Sequence, residues 1–391
     1  MIKIPQNIER NRTVNPAVYI KQIAVLINDN SENEFDKVKK ANDFAAVLIR
    51  YDAAGFWAGN IPDQSYQNVL KTRLAVCEGY ANLFKKLCDE LKIPCVIVHG
   101  YARGVGSSPA AAERPNESNH AWNIVTIYNE SYLIDCTWNS GYMDGMVSKQ
   151  KYTTEWLFCK PEHFIYTHFP SNVNQQLLTS PLTAAQFSAL PFFRPGFFDT
   201  ANLSVKLPKI NHAGGQFSFE YTSRNDNYFS FQVNEIKTGK AIQNRVFIQS
   251  NESGNTAFFS FPSAGQYIVN VFLFQTGAKQ GSICGEFIVE ASSASSVQYP
   301  VIYSSSAKNL QIISPIEMPL ERGKTYTFNI KAGNKKNVAI IYGSTFVQLA
   351  KGEDDVFTFE FLVPSNINSL SLGIADSERG RYETIATYQV K

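Results

Sequence analysis

Cys77, His120 and Asp135 follow one another in an order, and in local contexts, that suit a catalytic triad built on a thiol. In such a triad, a histidine takes the proton of the thiol and a carboxylate fixes the tautomer of the imidazole. The thiolate would attack an amide carbonyl and form a thioester. Water as the second nucleophile would give hydrolysis or deamidation, whereas a lysine amine would give an isopeptide crosslink.

The segment 73–91 predicts a helix that begins at Cys77. Its apolar residues occupy positions 77, 80, 81, 84, 87, 88 and 91, which is helical spacing. The free N–H groups and the positive dipole end of a helix N-terminus favour a thiolate over a thiol. Glu78 opposes this effect slightly. The spacing therefore predicts a cysteine that is placed for nucleophilic attack.

A β-hairpin is predicted by two apolar segments on either side of the polar pair Asn129-Glu130. With a turn at that pair, Asp135 would lie opposite Ile124 and on the same face of the sheet as His120. The histidine and the aspartate would then be roughly 13 Å apart at ~3.3 Å per residue. We therefore expect a bulge or a bend to bring the two side chains together.

The oxyanion of a tetrahedral intermediate needs preorganised hydrogen-bond donors. The backbone N–H of Cys77 is expected to be one of them. The second donor is expected from an upstream side chain, either Trp57 or Gln64, with Asn60 and Gln67 as alternatives.

Each residue of the predicted triad also has a purely structural interpretation. A single cysteine on an apolar helix face is more often a packed core residue than a nucleophile. A histidine in a strand is more often hydrogen-bonded and structural, and an aspartate at a strand end often serves a turn. Only the coincidence of the three contexts in one compact stretch favours the triad.

Three short blocks of sequence resemble the signatures of the transglutaminase-like superfamily. They are Val76-Cys-Glu-Gly-Tyr-Ala81, Asn119-His-Ala-Trp122 and Asp135-Cys-Thr-Trp138. Within the superfamily, the chain is most similar to the kyphoscoliosis peptidase branch, which also shows the later blocks at 161–170 and 187–195. The resemblance covers most of residues 40–200.

The resemblance implies a papain-like α+β core, in which a helix carrying the cysteine packs on an antiparallel sheet carrying the histidine and the aspartate. It assigns the nucleophile to Cys77, the base to His120 and the orienting carboxylate to Asp135. Residues in and around the three blocks are expected to line the site: Glu78, Gly79, Tyr80, Asn119, Trp122 and Trp138.

The same resemblance implies a cysteine peptidase or amidase that acts on protein substrates. The alternatives are a crosslinking or deamidating transglutaminase, and a non-catalytic adaptor that retains the fold, because some relatives linked to cytokinesis lack catalytic residues. A protein partner, cytoskeletal by family resemblance, is expected in either case.

Metals and cofactors are not expected. The calcium-loop pattern and the preceding β-sandwich of animal crosslinking transglutaminases are missing from the sequence, as are paired CxxC motifs. A zinc site at Cys88, Cys95 and His99 would lack an obvious fourth ligand.

The composition indicates a globular protein. The hydrophobic fraction is 44% and the net charge is +2, which gives no reason to expect nucleic-acid binding or strong attraction to membranes. The start of the chain is polar, no apolar stretch reaches the ~20 residues of a membrane helix, and the six cysteines are scattered. We therefore expect a cytoplasmic protein.

The order of segments predicts four parts, namely a catalytic domain with N-terminal helices (1–170), a packed linker (171–200) and two all-β immunoglobulin-like sandwiches (201–295 and 296–391). The last two are inferred from alternating strands that are separated by Gly, Asn and Ser turns. They would serve as spacers or as a docking surface for a protein. The segment 105–118, just before His120, has the composition of a lid or of a surface insertion.

Overall fold

The computed structural model describes residues 3–104, 113–203, 206–223, 227–251, 253–275, 277–303, 310–377 and 380–391. Two compact units divide the chain, Met1–Phe198 and Asp199–Lys391. Residues 105–112, which belong to the segment predicted to be a lid or an insertion, lie outside the described residues. In the described ranges, no helix is both long enough and apolar enough to span a bilayer.

Helices fill most of the chain that precedes the central sheet of the first unit, and further short helices follow it. The helices are α1 (Gln6–Glu9), α2 (Asn11–Val14), α3 (Pro16–Asp29), α4 (Glu34–Leu48), α5 (Ala53–Trp57), α6 (Tyr66–Thr72), α7 (Cys77–Glu90), α8 (Cys136–Ser140), α9 (Pro161–Phe164), α10 (Ala184–Ser188) and α11 (Pro195–Thr200).

The strands of the first unit are short. They are β1 (Arg50–Tyr51), β2 (Leu74–Ala75), β3 (Cys95–Ala102), β4 (His120–Ile127), β5 (Glu130–Ile134), β6 (Gly141–Asp144), β7 (Val147–Gln150), β8 (Leu157–Cys159), β9 (His168–Pro170) and β10 (Phe192–Phe193).

An antiparallel sheet with the order β8-β5-β4-β3-β9 forms the centre of this unit. Side chains alternate between its two faces. Val125 and Ile127 of β4 pack with α3, α4 and α7, whereas Trp122 and Ile124 pack with Trp156 on the other face. The sheet is therefore covered on both sides and is held rigidly.

The helix α7 forms where helical spacing predicts it. Its residues Tyr80, Leu83, Phe84 and Leu87 are buried on one stripe that faces the core. The preceding residue, Val76, is extended and gives no side-chain cap. The first N–H groups of the helix are thus left for other partners.

The second unit consists of strands. Those of its first half are β11 (Ala201–Leu203), β12 (Ile210–Ala213), β13 (Gln216–Ser223), β14 (Tyr228–Glu235), β15 (Val246–Asn251), β16 (Gly254–Ser260), β17 (Gly265–Phe274) and β18 (Ser282–Ala291). Those of its second half are β19 (Val301–Ile302), β20 (Gln311–Ser314), β21 (Thr325–Lys331), β22 (Asn337–Tyr342), β23 (Thr345–Gln348), β24 (Ala350–Lys351), β25 (Val356–Leu362), β26 (Ser369–Ala375) and β27 (Glu383–Gln389).

Each half is a sandwich of two sheets. In the first half, β11-β13-β16-β15 faces a sheet that contains β14, β17, β18 and β12, and rings such as Phe219, Phe231 and Phe259 fill the space between them. In the second half, β20-β21-β25-β24 faces β19-β27-β26-β22-β23 around Phe328, with Tyr388 against it. The predicted fold class, an α+β core followed by two all-β sandwiches, is confirmed. The finer boundaries at residues 170, 200 and 295 stay a prediction.

Candidate active site

Cys77 is the first residue of α7, and the chain that leads to it is fixed by pairing. The strand β2 pairs in parallel with β1, so that Tyr51 lies beside Ala75. The side-chain oxygen of Gln64 accepts a hydrogen bond from the Val76 N–H at 2.9 Å. Both contacts hold the residues immediately before Cys77, so the start of α7 is positioned by the chain itself.

The strands β4 and β5 form the predicted hairpin, but the predicted register is wrong by two residues. Leu133, not Asp135, lies opposite Ile124. The turn is made by Tyr128 and Asn129, whose φ angles of 51° and 68° are those of a type I′ turn. The strongly twisted two-residue turn thus displaces the predicted turn at residues 129–130.

This register removes the need for the predicted bulge between β4 and β5. Extended by one residue, it places Asp135 opposite Trp122, two residues from His120, or about 7 Å along the strand at ~3.3 Å per residue. The chain then turns into α8, and Asp135 caps that helix by accepting the Trp138 N–H at 3.0 Å. The helix cap therefore aims the carboxylate back towards the histidine.

The three residues of the predicted triad come together in space. His120 Nε2 lies 2.7 Å from Asp135 Oδ2, and the carboxylate is completely buried. With Nε2 used in this way, Nδ1 is the ring nitrogen left to face the thiol, and the Cys77 side chain is hydrogen-bonded to His120. The Ala121 N–H also donates to the sulfur.

These contacts shift the protonation of the pair. Burial raises the pKa of Cys77, but the hydrogen bond and charge of His120 outweigh it, and the pKa is lowered overall. Burial lowers the pKa of His120, yet Asp135 and the thiolate raise it to about 10. The pKa of Asp135 is lowered because the two histidines that contact it outweigh its burial. The pKa shifts of Cys77 and His120 both favour the ion pair of thiolate and imidazolium over the neutral pair.

Cys77 also differs from the other cysteines in access. Its side chain is partly exposed, whereas the remaining five are buried. Burial raises the pKa of Cys88 and Cys136 well above the ordinary value of a thiol. A reagent in solution would therefore distinguish Cys77 from the others on both grounds.

A second histidine, missed by the sequence reasoning, contacts the same carboxylate. His168 Nε2 lies 3.1 Å from Asp135 Oδ2, and its other nitrogen lies 2.8 Å from Thr167 Oγ1. In the sequence, the block 161–170 stands out only through the family resemblance, because nothing in its spacing connects it with residue 135. The connection is made by β9, which pairs with β3.

The residues expected to line the site divide into three groups. Trp122 and Trp138 lie beside His120, with ring centroids 6.1 and 5.5 Å from that of its imidazole. Glu78 lies at the surface, where it pairs with His99 at 2.8 Å. The other three serve the framework.

Those three residues are held by hydrogen bonds or by tight packing. The ring of Tyr80 is buried, and its hydroxyl donates to the Ile49 carbonyl at 3.0 Å. The side chain of Asn119 exchanges two hydrogen bonds with the backbone of Ala102. Gly79 is tightly packed, since a Cβ there would lie 2.6 Å from the side-chain oxygen of Gln64.

The two predicted oxyanion donors occupy different surroundings. Gln64 braces the helix start, and its amide nitrogen donates to the Pro62 carbonyl at 2.8 Å. Trp57 is 52% exposed at the end of α5, in edge contact with Phe56. A further candidate donor is Tyr51, which the sequence reasoning does not name. Burial raises the pKa of its phenol, and the charges of Cys77 and Asp135 raise it further, which places the hydroxyl within their electrostatic range.

His120, Asp135 and His168 are also the one group of His, Cys, Asp or Glu side chains in the described ranges whose donor atoms are close enough to chelate an ion, all within 4.8 Å. The carboxylate oxygen between them already accepts from both rings, at 2.7 and 3.1 Å. An ion held there would displace both hydrogen bonds. The arrangement therefore fits proton transfer better than metal binding.

Comparison with known proteins shows which family the first part of the chain resembles. A family model described as the transglutaminase-like superfamily matches residues 21–138. Kyphoscoliosis peptidase of Mus musculus is 33% identical over 171 residues, 43% of this chain and 26% of that protein. Kyphoscoliosis peptidase of Homo sapiens is 30% identical over 190 residues, 48% of this chain and 29% of that protein. The chain thus spans less than a third of the length of these relatives.

Among solved structures, red sea bream transglutaminase is similar across 100% of this chain and 79% of its own, with 8% identity and a TM-score of 0.25. The fold assignment rests on the architecture described above. The predicted resemblance to the transglutaminase-like superfamily, and to its kyphoscoliosis peptidase branch, is confirmed. This chain contains a transglutaminase-like domain.

Proposed function

We propose that this chain is a cysteine enzyme that acts on amide bonds in proteins through a thioester on Cys77. The observation that carries the proposal is the arrangement of one partly exposed cysteine at a helix N-terminus with a histidine whose far nitrogen is bound to a buried carboxylate. That is the geometry of an activated thiol nucleophile with an oriented base.

In the first step, the Cys77 sulfur forms a bond to the carbonyl carbon of the amide. The imidazolium of His120 gives its Nδ1 proton to the amide nitrogen, the C–N bond breaks, and the amine leaves. Asp135 keeps the imidazole in the tautomer with hydrogen on Nε2. The Cys77 N–H, at the first position of α7, supports the oxyanion, because that position has no intrahelical acceptor.

In the second step, His120 removes a proton from the incoming nucleophile, which attacks the thioester carbonyl and releases the thiolate. Water gives a carboxylic acid, and a lysine amine gives a new amide. We favour water, hence a peptidase or amidase, because the relatives described above are named peptidases. Transamidation and deamidation use the same first step and differ in the acceptor or in the amide attacked.

The first test is the reactivity of Cys77. Its rate of alkylation by iodoacetamide near neutral pH, followed by intact mass and peptide mapping, should far exceed that of the five buried cysteines. His120→Ala should slow it, whereas His99→Ala, which removes an exposed histidine paired with Glu78, should leave it unchanged. Equal rates in all three proteins would contradict the proposed activation.

The second test is turnover. The protein and its Cys77→Ala variant are incubated with casein and a small primary amine, and the masses of the products are measured by mass spectrometry. New fragments that require Cys77 indicate a peptidase, and amine incorporation indicates transamidation. A reactive Cys77 with no Cys77-dependent product on any protein substrate would favour the non-catalytic adaptor.

A further inference from the structure

We propose that His168 is a positioning residue of this site, which holds the Asp135 carboxylate for His120 by donating a hydrogen bond from its own Nε2. The inference rests on the proposed function, since it concerns how the Cys77 thiolate is maintained. It extends the predicted triad by a second histidine and by the hydroxyl of Thr167.

The geometry makes one carboxylate oxygen the acceptor for two imidazole rings. Asp135 Oδ2 lies 2.7 Å from His120 Nε2 and 3.1 Å from His168 Nε2, while Oδ1 accepts the Trp138 N–H. The side chains of Asp135 and His168 are both fully buried. With no solvent to replace any of these donors, the orientation of the carboxylate is set by the three of them together.

The protons can be assigned around His168. Its Nε2 must carry hydrogen, because the opposite atom is a carboxylate oxygen. A neutral ring then has Nδ1 as an acceptor, and the Thr167 hydroxyl, 2.8 Å away, can turn its one proton to that nitrogen instead of to the Phe164 carbonyl at 3.1 Å. The carboxylate of Asp135, which can only accept, therefore fixes the tautomer of His168 as it fixes that of His120, and the Thr167 hydroxyl is able to serve the nitrogen on the other side of the ring.

The surroundings keep this second ring neutral. Four aromatic rings enclose the His168 imidazole with centroids 3.9 to 5.3 Å away, namely Phe164, Trp138, Trp122 and Trp156. Their apolar environment lowers the pKa of His168 to about 4, despite the opposing effect of Asp135. A cationic ring here would neutralise the carboxylate and repel the imidazolium of His120. A neutral donor orients the carboxylate and leaves its charge for the base.

The test separates this role from simple core packing. His168→Phe keeps an aromatic ring among aromatic rings but removes the donor, whereas His168→Gln keeps an N–H of similar reach. Phe169→Leu, a neighbouring buried residue that packs against Phe187 instead, is the matched control for lost packing. For each variant, the rate of Cys77 alkylation by iodoacetamide is measured against pH, beside the thermal midpoint.

We expect His168→Phe to slow alkylation at neutral pH by about tenfold. A loss of this order is typical in metal sites when a residue that orients a metal-binding side chain is removed, and His168 orients the Asp135 carboxylate in the same way. The acid limb of the pH profile should move to higher pH, because a misplaced carboxylate stabilises the imidazolium less well. His168→Gln should restore most of the rate, and Phe169→Leu should leave the profile in place. An unchanged profile in His168→Phe, or no recovery in His168→Gln, would overturn the proposal.

A measurement on the unaltered protein keeps the inference testable if His168→Phe does not fold. Nitrogen-15 NMR of the imidazole distinguishes the two neutral tautomers and the cation. His168 should be neutral at pH 7 with its proton on Nε2, and a cation or a proton on Nδ1 would overturn the proposal. If wild-type Cys77 reacts no faster than a buried cysteine, the proposed function fails instead, whichever tautomer is found.

Discussion

Asp135→Asn is the sharpest perturbation of the proposed site, because asparagine caps a helix as well as aspartate does. The introduced side-chain oxygen can still accept the Trp138 N–H, so α8 keeps its N-cap. The amide nitrogen then takes the place of Oδ2 and faces the Nε2 atoms of His120 and His168. Donor would meet donor, so His120 must move its proton to Nδ1, where it can no longer accept one from Cys77.

The size of the effect follows from the lost interaction. A hydrogen bond to a charged group contributes about 1.5–3 kcal/mol, and a factor of ten corresponds to 1.36 kcal/mol. The pKa of His120, which Asp135 helps to raise to about 10, should fall, and that of Cys77 should rise. We therefore expect alkylation of Cys77 at neutral pH to slow by about tenfold to about 150-fold, and the wrong tautomer adds to the loss.

The assay is the alkylation rate from about pH 5 to about pH 10, with the thermal midpoint as a check on folding. Asp43→Asn is the control, since Asp43 is a buried carboxylate on α4 that pairs with Lys39 at 2.7 Å and belongs to no part of the triad. The control should keep the wild-type profile. If Asp135→Asn folds normally and also keeps that profile, the triad is not what activates Cys77.

Three further outcomes are expected. Gly79→Ala should lower stability by about 1–3 kcal/mol in denaturant unfolding, because its Cβ would lie 2.6 Å from the Gln64 side-chain oxygen. Tyr51→Phe and Trp57→Phe test the two candidates for the second oxyanion donor. The variant that removes this donor should slow turnover of an amide by about a hundredfold. It should leave the alkylation of Cys77 unchanged, because alkylation forms no oxyanion. Stability should fall between about pH 6.5 and pH 4, because the pKa of His168 is lowered to about 4 and the unfolded chain takes up that proton first. His168→Phe should remove up to about 3 kcal/mol of this pH dependence in thermal unfolding.

The sequence was sufficient to place the predicted nucleophile and base on their elements because both signals are local. Helical spacing after Cys77 and strand alternation after His120 depend on neighbours a few residues away. The register of the hairpin was predicted wrongly because a single residue decides it. Tyr128 takes the left-handed conformation, which its sequence context does not predict. The pairing of β5 with β4 is therefore shifted from the predicted register.

The contacts that complete the site come from distant parts of the chain. Tyr51 reaches the neighbourhood of Cys77 through the parallel pair of β1 with β2, only two residues long on each strand. His168 reaches Asp135 from 33 positions away. Neither contact produces a periodic pattern, so no local reading of the residues could have found them. Gln64, by contrast, was named from its position before the cysteine, and the structure places its oxygen on Val76.

Gly100 shows how the sheet allows two histidines to share one carboxylate. It lies in β3 between His120 of β4 and Pro170 of β9, so it separates the strands that carry the two rings. A Cβ at this position would lie 2.3 Å from the Phe169 carbonyl oxygen and 2.7 Å from the Trp122 ring. Any side chain would therefore push β9 or the indole away. The close approach of β9 and Trp122 at this glycine contributes to the burial of His168 beside Asp135, and that burial keeps the ring neutral.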